Sequence, residues 1–224
     1  MKVLSAHLWE KGEEMHMPIS VVLQQAEVGR KTVVLACVCE GRNTGEAGVT
    51  ESGYFTEGLT EWFHREGVKL CERKGDERVA DSLYSELERL QKENREYMQK
   101  KGLEPSLHYW GIFMWESKAW IFAKGDCRGY LLNRRFQKKN LREILDSQEQ
   151  IKGTWLKVAI QKKLGILLCT KEFLEEANKE ECLAVLMPEG EITEERMQKR
   201  LQELCGEQKR KGRGTAAGAI YLRT

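Results

Sequence analysis

The stretch Lys31–Glu40, K-T-V-V-L-A-C-V-C-E, constrains the fold of this chain more than any other. Every residue from Val33 to Cys39 is apolar. An extended segment turns successive side chains to opposite faces, so such a run is stable in water only if both faces are covered. The chain must hold a sheet with a packed layer on each side. Its 224 residues are enough to bury a core of that kind.

The flanking sequence supplies the layers. Ile19–Gln24 is a second short β-branched strand, and Gly29 lies between the two as a turn signal. From Ala47 to Glu66 the apolar spacing turns helical, with Phe55, Leu59, Trp62 and Phe63 on one face. Asp76 is placed to cap a long helix that ends before Gly102. Val79, Leu83, Leu87 and Leu90 give that helix a single narrow stripe, the pattern of a helix lying on a sheet. Strands are expected at Leu107–Trp115, Ala119–Lys124, Gly129–Leu132, Thr154–Ile160 and Ile166–Cys169. Helical stretches follow at Lys171–Glu176, Lys179–Leu183 and Thr193–Glu207, then a last strand at Ala217–Leu222. No internal repeat or low-complexity linker interrupts the chain, so one α+β domain over residues 1–224 is expected.

Several function classes are disfavoured. The net charge is +2, with 37 basic against 35 acidic residues, which argues for neither a nucleic acid nor a membrane surface as partner. The basic cluster Lys209–Arg213 reads as a solvated helix end. The seven cysteines have no zinc-site spacing; Cys37 and Cys39 share one face of an apolar strand and read as buried free thiols. A reduced, cytoplasmic chain is expected, since Met1–Glu10 lacks a signal-peptide core and no segment has the length of a membrane span. His7, His16, His64 and His108 show no metal-ligand spacing and read as structural. Among the dense aromatics from Tyr109 to Phe122, alternation sends part into an inter-sheet core. The opposite face, with Tyr109 and Trp115, is left for a helix or a partner.

Phe122–Asn133, F-A-K-G-D-C-R-G-Y-L-L-N, reads as a strand, a tight Gly-Asp turn and a second strand. It resembles the G-D-S-R-x-Y-L-L hairpin of the metal-dependent type 2C (PPM-type) Ser/Thr protein phosphatases, with Gly125, Asp126 and Arg128 as the motif residues of the turn. Cys39–Phe63 is similar to that family's D-G-x-G-G-x-x-x-G-E-x-A-S segment, with Glu40-Gly41 at the Asp-Gly position and Gly48 at the later glycine. Residues 165–174 resemble G-x-L-L-C-S-D-G-L, and residues 214–222 resemble the C-terminal G-S-x-D-N motif. The resemblance spans the whole chain. It implies a four-layer α-β-β-α sandwich, two antiparallel sheets packed face to face and flanked by helices.

It also implies where a metal site would stand, and there the chain departs from the pattern. Active family members hold two Mn²⁺ or Mg²⁺ ions on aspartates, because paired hard cations need several carboxylate oxygens. The first aspartate position falls on Ile19, and the arginine often found before it falls on Glu14. The second is Glu40, the third is Lys171 followed by Glu172, and the last pair becomes Ala216-Ala217. No Asp occurs between Met1 and Gly75 or after Asp146, so small shifts of register restore none of them. The degenerate metal-site positions are thus Ile19, Glu40, Gly41, Lys171 and Ala216, with no catalytic residue, metal or other cofactor expected. Lys171 is expected to answer Glu40 across the former site, the alternative being that it swings out to solvent and water fills the cleft. The function this implies is a pseudophosphatase that binds a protein partner, a phosphoprotein or a Ser/Thr kinase, in phospho-signalling. The alternative is a divergent active phosphatase that holds Mn²⁺ or Mg²⁺ with Glu40 and unanticipated carboxylates such as Glu46, Glu172 or Asp126.

Overall fold

The computed structural model describes residues 3–10, 18–43, 45–73, 76–135, 138–143, 156–159, 165–174, 186, 193–210 and 217–224. Two five-stranded sheets are built from these residues, and every strand pairing is antiparallel. The first sheet runs β1 (Leu4–Glu10), β10 (Ala217–Arg223), β9 (Gly165–Cys169), β6 (Arg128–Arg135), β7 (Lys138–Glu143). The second runs β2 (Ile19–Val28), β3 (Lys31–Gly41), β4 (Leu107–Trp115), β5 (Lys118–Lys124), β8 (Leu156–Ala159). The helices are α1 (Glu46–Trp62), α2 (Val68–Glu72), α3 (Asp76–Lys100), α4 (Lys171–Leu174) and α5 (Glu194–Arg210).

Strand alternation in β3 divides the core. Val34, Ala36 and Val38 pack between the sheets with Trp110, Ile112, Ile121, Ile166, Leu168 and Ile220. Val33, Leu35, Cys37 and Cys39 point the other way, onto Phe55, Leu59, Trp62, Leu83, Leu87 and Leu90 of α1 and α3. The outer face of the first sheet is covered by Met197, Leu201 and Leu204 of α5. The result is the four-layer α-β-β-α sandwich. Among the described residues no helix is long and apolar enough to cross a membrane.

Three sequence expectations change. The Gly125-Asp126 turn does not close a hairpin: β5 pairs with β4 and β8, whereas β6 pairs with β7 and β9 in the other sheet. The turn is a crossing between layers. Gly125 adopts φ 76°, and a Cβ there would run into the His108 ring, so glycine suits this corner on both counts. The aromatic cluster is mostly on the helix side. Tyr109, Phe113, Trp115, Trp120 and Phe122 face α1 to α3, and Tyr109 stacks on Phe55 with ring centroids 4.5 Å apart. Trp110 is the member that enters the inter-sheet core. The helix expected to reach Glu66 instead ends at Trp62 and passes into a π-helical turn, Phe63–Gly67. There the Val68 N–H bonds the Phe63 carbonyl.

Strands β1 and β7 were not evident in the sequence, and the helix expected at Lys179–Leu183 lies outside the described residues. β1 is an edge strand, and α5 completes it with side chains. Ser5 N–H donates to Glu194 Oε1 at 3.0 Å and His7 N–H to Gln198 Oε1 at 3.1 Å, while Gln198 Nε2 donates to the His7 carbonyl at 2.7 Å.

Candidate functional site

The sequence motifs meet at the end of the sandwich where β2 starts and β3 stops. Gly41 N–H donates to the Pro18 carbonyl at 2.7 Å, and Arg42 N–H to the Ser106 carbonyl at 2.8 Å. The chain then turns into α1 through a contact that only glycines allow. A Cβ on Gly41 would strike the Gly48 carbonyl, and one on Gly48 would strike the carbonyl of Asn43. Ile19 on β2 and His108 on β4 are the direct cross-strand partners of Glu40 on β3. By alternation with Val34, Ala36 and Val38, Glu40 lies on the inter-sheet face, and it is 7% exposed.

The cation described at that carboxylate is Arg42. It sits two residues along the chain, just past the end of β3. Its Nε lies 3.4 Å from Glu40 Oε2, and a terminal guanidinium nitrogen bonds Asp126 Oδ2 at 3.2 Å. Asp126 belongs to the crossing turn. Its N–H donates to His108 Nδ1 at 3.2 Å. The same nitrogen stands 3.6 Å from Asp126 Oδ2, too far for a hydrogen bond. Arg128 steadies the turn by donating to the carbonyls of Gly125 and Cys127 at 3.4 and 3.3 Å.

The remaining positions are reached through β10 and β9. A Cβ on Gly218 would lie 2.7 Å from Ile19 Cγ2, which brings the start of β10 against the start of β2. Thr170 N–H donates to the Gly218 carbonyl at 3.0 Å, and Gly218 N–H to Thr170 Oγ1 at 3.4 Å. Lys171, half-buried, follows Thr170 and opens α4. Glu14 and Ala216 lie outside the described residues.

Sequence reasoning missed Arg42 and also Glu51. Glu51 on α1 is 0% exposed and accepts from Asn43 Nδ2 (2.8 Å), Asn94 Nδ2 (3.0 Å) and Ser106 N–H (3.0 Å). It ties α1 and α3 to the loops that begin and end this corner. Both residues left a signal. Arg42 is at strand spacing from Glu40, and Glu51 falls in line with the apolar stripe of Phe55, Leu59 and Trp62. The thiols of Cys37 and Cys39 are pushed well up, first by burial; at Cys39 neighbouring thiols, Glu51 and Glu40 add to the effect. Neither is a nucleophile in the folded chain.

Sequence comparison finds no family model and no curated protein that matches the chain. Solved structures match it nearly end to end. The catalytic domain of the serine/threonine phosphatase PstP of Mycobacterium tuberculosis, in complex with two manganese ions, aligns with a TM-score of 0.75 at 15% identity, covering 99% of this chain and 97% of that one. PppA, a key regulatory component of T6SS in Pseudomonas aeruginosa, aligns with a TM-score of 0.77 at 15% identity over 100% of this chain and 98% of its own. The serine/threonine phosphatase of S. agalactiae aligns with a TM-score of 0.73 at 11% identity over 100% of both chains. The chain has the type 2C (PPM-type) phosphatase fold.

Among the described residues, the donor chemistry at this corner of the phosphatase fold is a poor match for the two manganese ions of the PstP complex. Paired divalent cations need several carboxylate oxygens. Here Ile19 offers hydrocarbon, while Glu40 and Asp126 both face the Arg42 guanidinium. Among the described residues no group of three or more His, Cys, Asp or Glu side chains is arranged to hold a metal ion.

Proposed function

We propose that this chain is a catalytically degenerate type 2C phosphatase, a cytoplasmic pseudophosphatase of one domain over residues 1–224 that works by binding a protein partner. The observation that carries the reading is the cross-strand pair Ile19–Glu40 with Arg42 at 3.4 Å from the carboxylate. At two positions that the resemblance assigns to metal ligands the chain offers a hydrocarbon and a carboxylate that faces a cation, which supports the reading. The degenerate positions are Ile19, Glu40, Gly41, Lys171 and Ala216, and the turn of Gly125, Asp126 and Arg128 keeps the scaffold. Fold alone does not confer an activity, and the site chemistry weighs against hydrolysis. The partner class that suits a phosphatase scaffold without hydrolysis is a phosphoprotein or a Ser/Thr kinase of the same signalling system.

The test is a calorimetric titration of the purified protein with Mn²⁺, with p-nitrophenyl phosphate turnover followed in parallel. The expected result is no metal binding at the site and no turnover at millimolar Mn²⁺ or Mg²⁺. Metal-dependent turnover that is lost in Glu40→Gln would overturn the reading in favour of a divergent active phosphatase.

A further inference from the structure

We propose that Arg42 is a built-in substitute for a divalent cation, joining the end of β3 to the turn that crosses between the sheets. The inference rests on the functional reading above and extends it to what holds the corner together. Glu40 belongs to the second sheet, and Asp126 to the turn leading into the first. The guanidinium reaches both, with Nε 3.4 Å from Glu40 and a terminal nitrogen 3.2 Å from Asp126. Bridging two acidic groups from two parts of a fold is what a coordinated dication does. Guanidinium does it through several N–H donors in a rigid fork, and it never loses its charge.

The surroundings hold that cation in place. The Arg42 N–H is fixed by the Ser106 carbonyl, and the next residue, Asn43, donates to Glu51 and to the Glu104 carbonyl at 2.8 and 3.0 Å. A cation tethered two residues from its carboxylate has a local concentration that no change in dissolved metal alters. Of the two acidic groups, Glu40 has a side chain only 10% exposed and Asp126 one 46% exposed. The contact with Glu40 therefore weighs more than the one with Asp126, since a charge contact gains strength with burial and an exposed pair is worth little. A metal ion entering this corner therefore competes with a covalently attached rival.

The test is thermal unfolding of the full chain in Mn²⁺ and in chelator. The wild-type midpoint is expected to be the same in both. Arg42→Met is expected to lower the midpoint by roughly 5 to 15 °C and to make it rise when Mn²⁺ is added. Adding Glu40→Gln to Arg42→Met recovers part of the loss and removes the response to Mn²⁺. Arg42→Lys, which keeps the charge without the fork, falls between wild type and Arg42→Met. An unchanged midpoint in Arg42→Met overturns the proposal. So does a loss that Glu40→Gln fails to recover, or one that Mn²⁺ fails to offset. Should Arg42→Met not fold, Arg42→Lys decides: a midpoint lowered in chelator and raised by Mn²⁺ supports the proposal, and an unchanged midpoint or a loss untouched by Mn²⁺ overturns it. Metal-dependent turnover by the wild type would instead sink the functional reading, an outcome these variant midpoints do not imitate.

Discussion

Glu40 and Glu51 are both buried carboxylates at the same corner of the molecule, and their described partners differ in kind. Glu40 meets a full positive charge, supplied by Arg42 from the same strand end. Glu51 meets neutral donors: two asparagine amides and one backbone N–H. A carboxylate can be kept in a core by dipoles when enough neutral donors converge on it, as they do on Glu51 from α3, from the loop after β3 and from the residue before β4. Where only a strand end and an irregular turn are at hand, as around Glu40, a whole charge serves instead. The first arrangement ties helices together; the second ties the two sheets.

The largest effect is expected where the neutral network is broken. Glu51→Ala removes the shared acceptor of one buried donor, Asn94, and two part-buried ones, Asn43 and Ser106, and costs about 3–5 kcal/mol, read as a drop in the urea midpoint with unchanged slope. A smaller loss would mean that water replaces the carboxylate. Next comes the turn that positions both acids. Gly48→Ala drives a methyl into the Asn43 carbonyl and costs about 2–3 kcal/mol in the same assay, since backbone cannot move aside as a side chain can.

Cys39 sharpens the comparison, because Glu51 and Glu40 both help to raise its pKa, after burial and the neighbouring thiols. In the unfolded chain a thiol ionises near its ordinary value of 9.0, while in the folded chain it stays protonated. Stability is therefore full below pH 9 and falls as pH rises above it, by about 1.4 kcal/mol per pH unit for each buried thiol. Urea unfolding at pH 8 and pH 10, compared with Cys39→Ala, checks both sign and size. The smallest effect belongs to the exposed half of the charged arrangement. Asp126→Asn costs about 0–1 kcal/mol and is screened by salt, and a larger loss would show that the crossing turn depends on that contact.

Much of the layering could be read directly from the chain. The run Val33–Cys39 announced a strand covered on both faces, and Leu107–Trp115 was bounded correctly because its ends are marked by Pro105 and by the turn at Glu116. The turn at Gly125-Asp126 shows where such reading stops. Its local sequence is that of any tight turn; whether the next strand pairs with the last one or crosses to another sheet is decided by distant partners in β4, β8 and β9. The strand Leu4–Glu10 escaped notice because L-S-A-H-L-W-E has little β-branched content, and its edge is completed by a helix far along the chain. At the site, the substituted positions were visible one by one. What they became together was not. Sequence reasoning looked to the distant Lys171 and passed over Arg42, two residues from Glu40, whose Nε lies 3.4 Å from the carboxylate.

That helix-completed edge has a consequence for how the protein behaves in company. An open sheet edge is a template: its free amides and carbonyls invite a strand from another molecule, and each strand added presents a fresh edge to the next. Glu194 and Gln198 take two amide protons and a carbonyl of β1, yet a helix offers no edge in return. Where α5 is docked, it ends the lateral growth of the sheet within one molecule, a chain terminator made of two side chains.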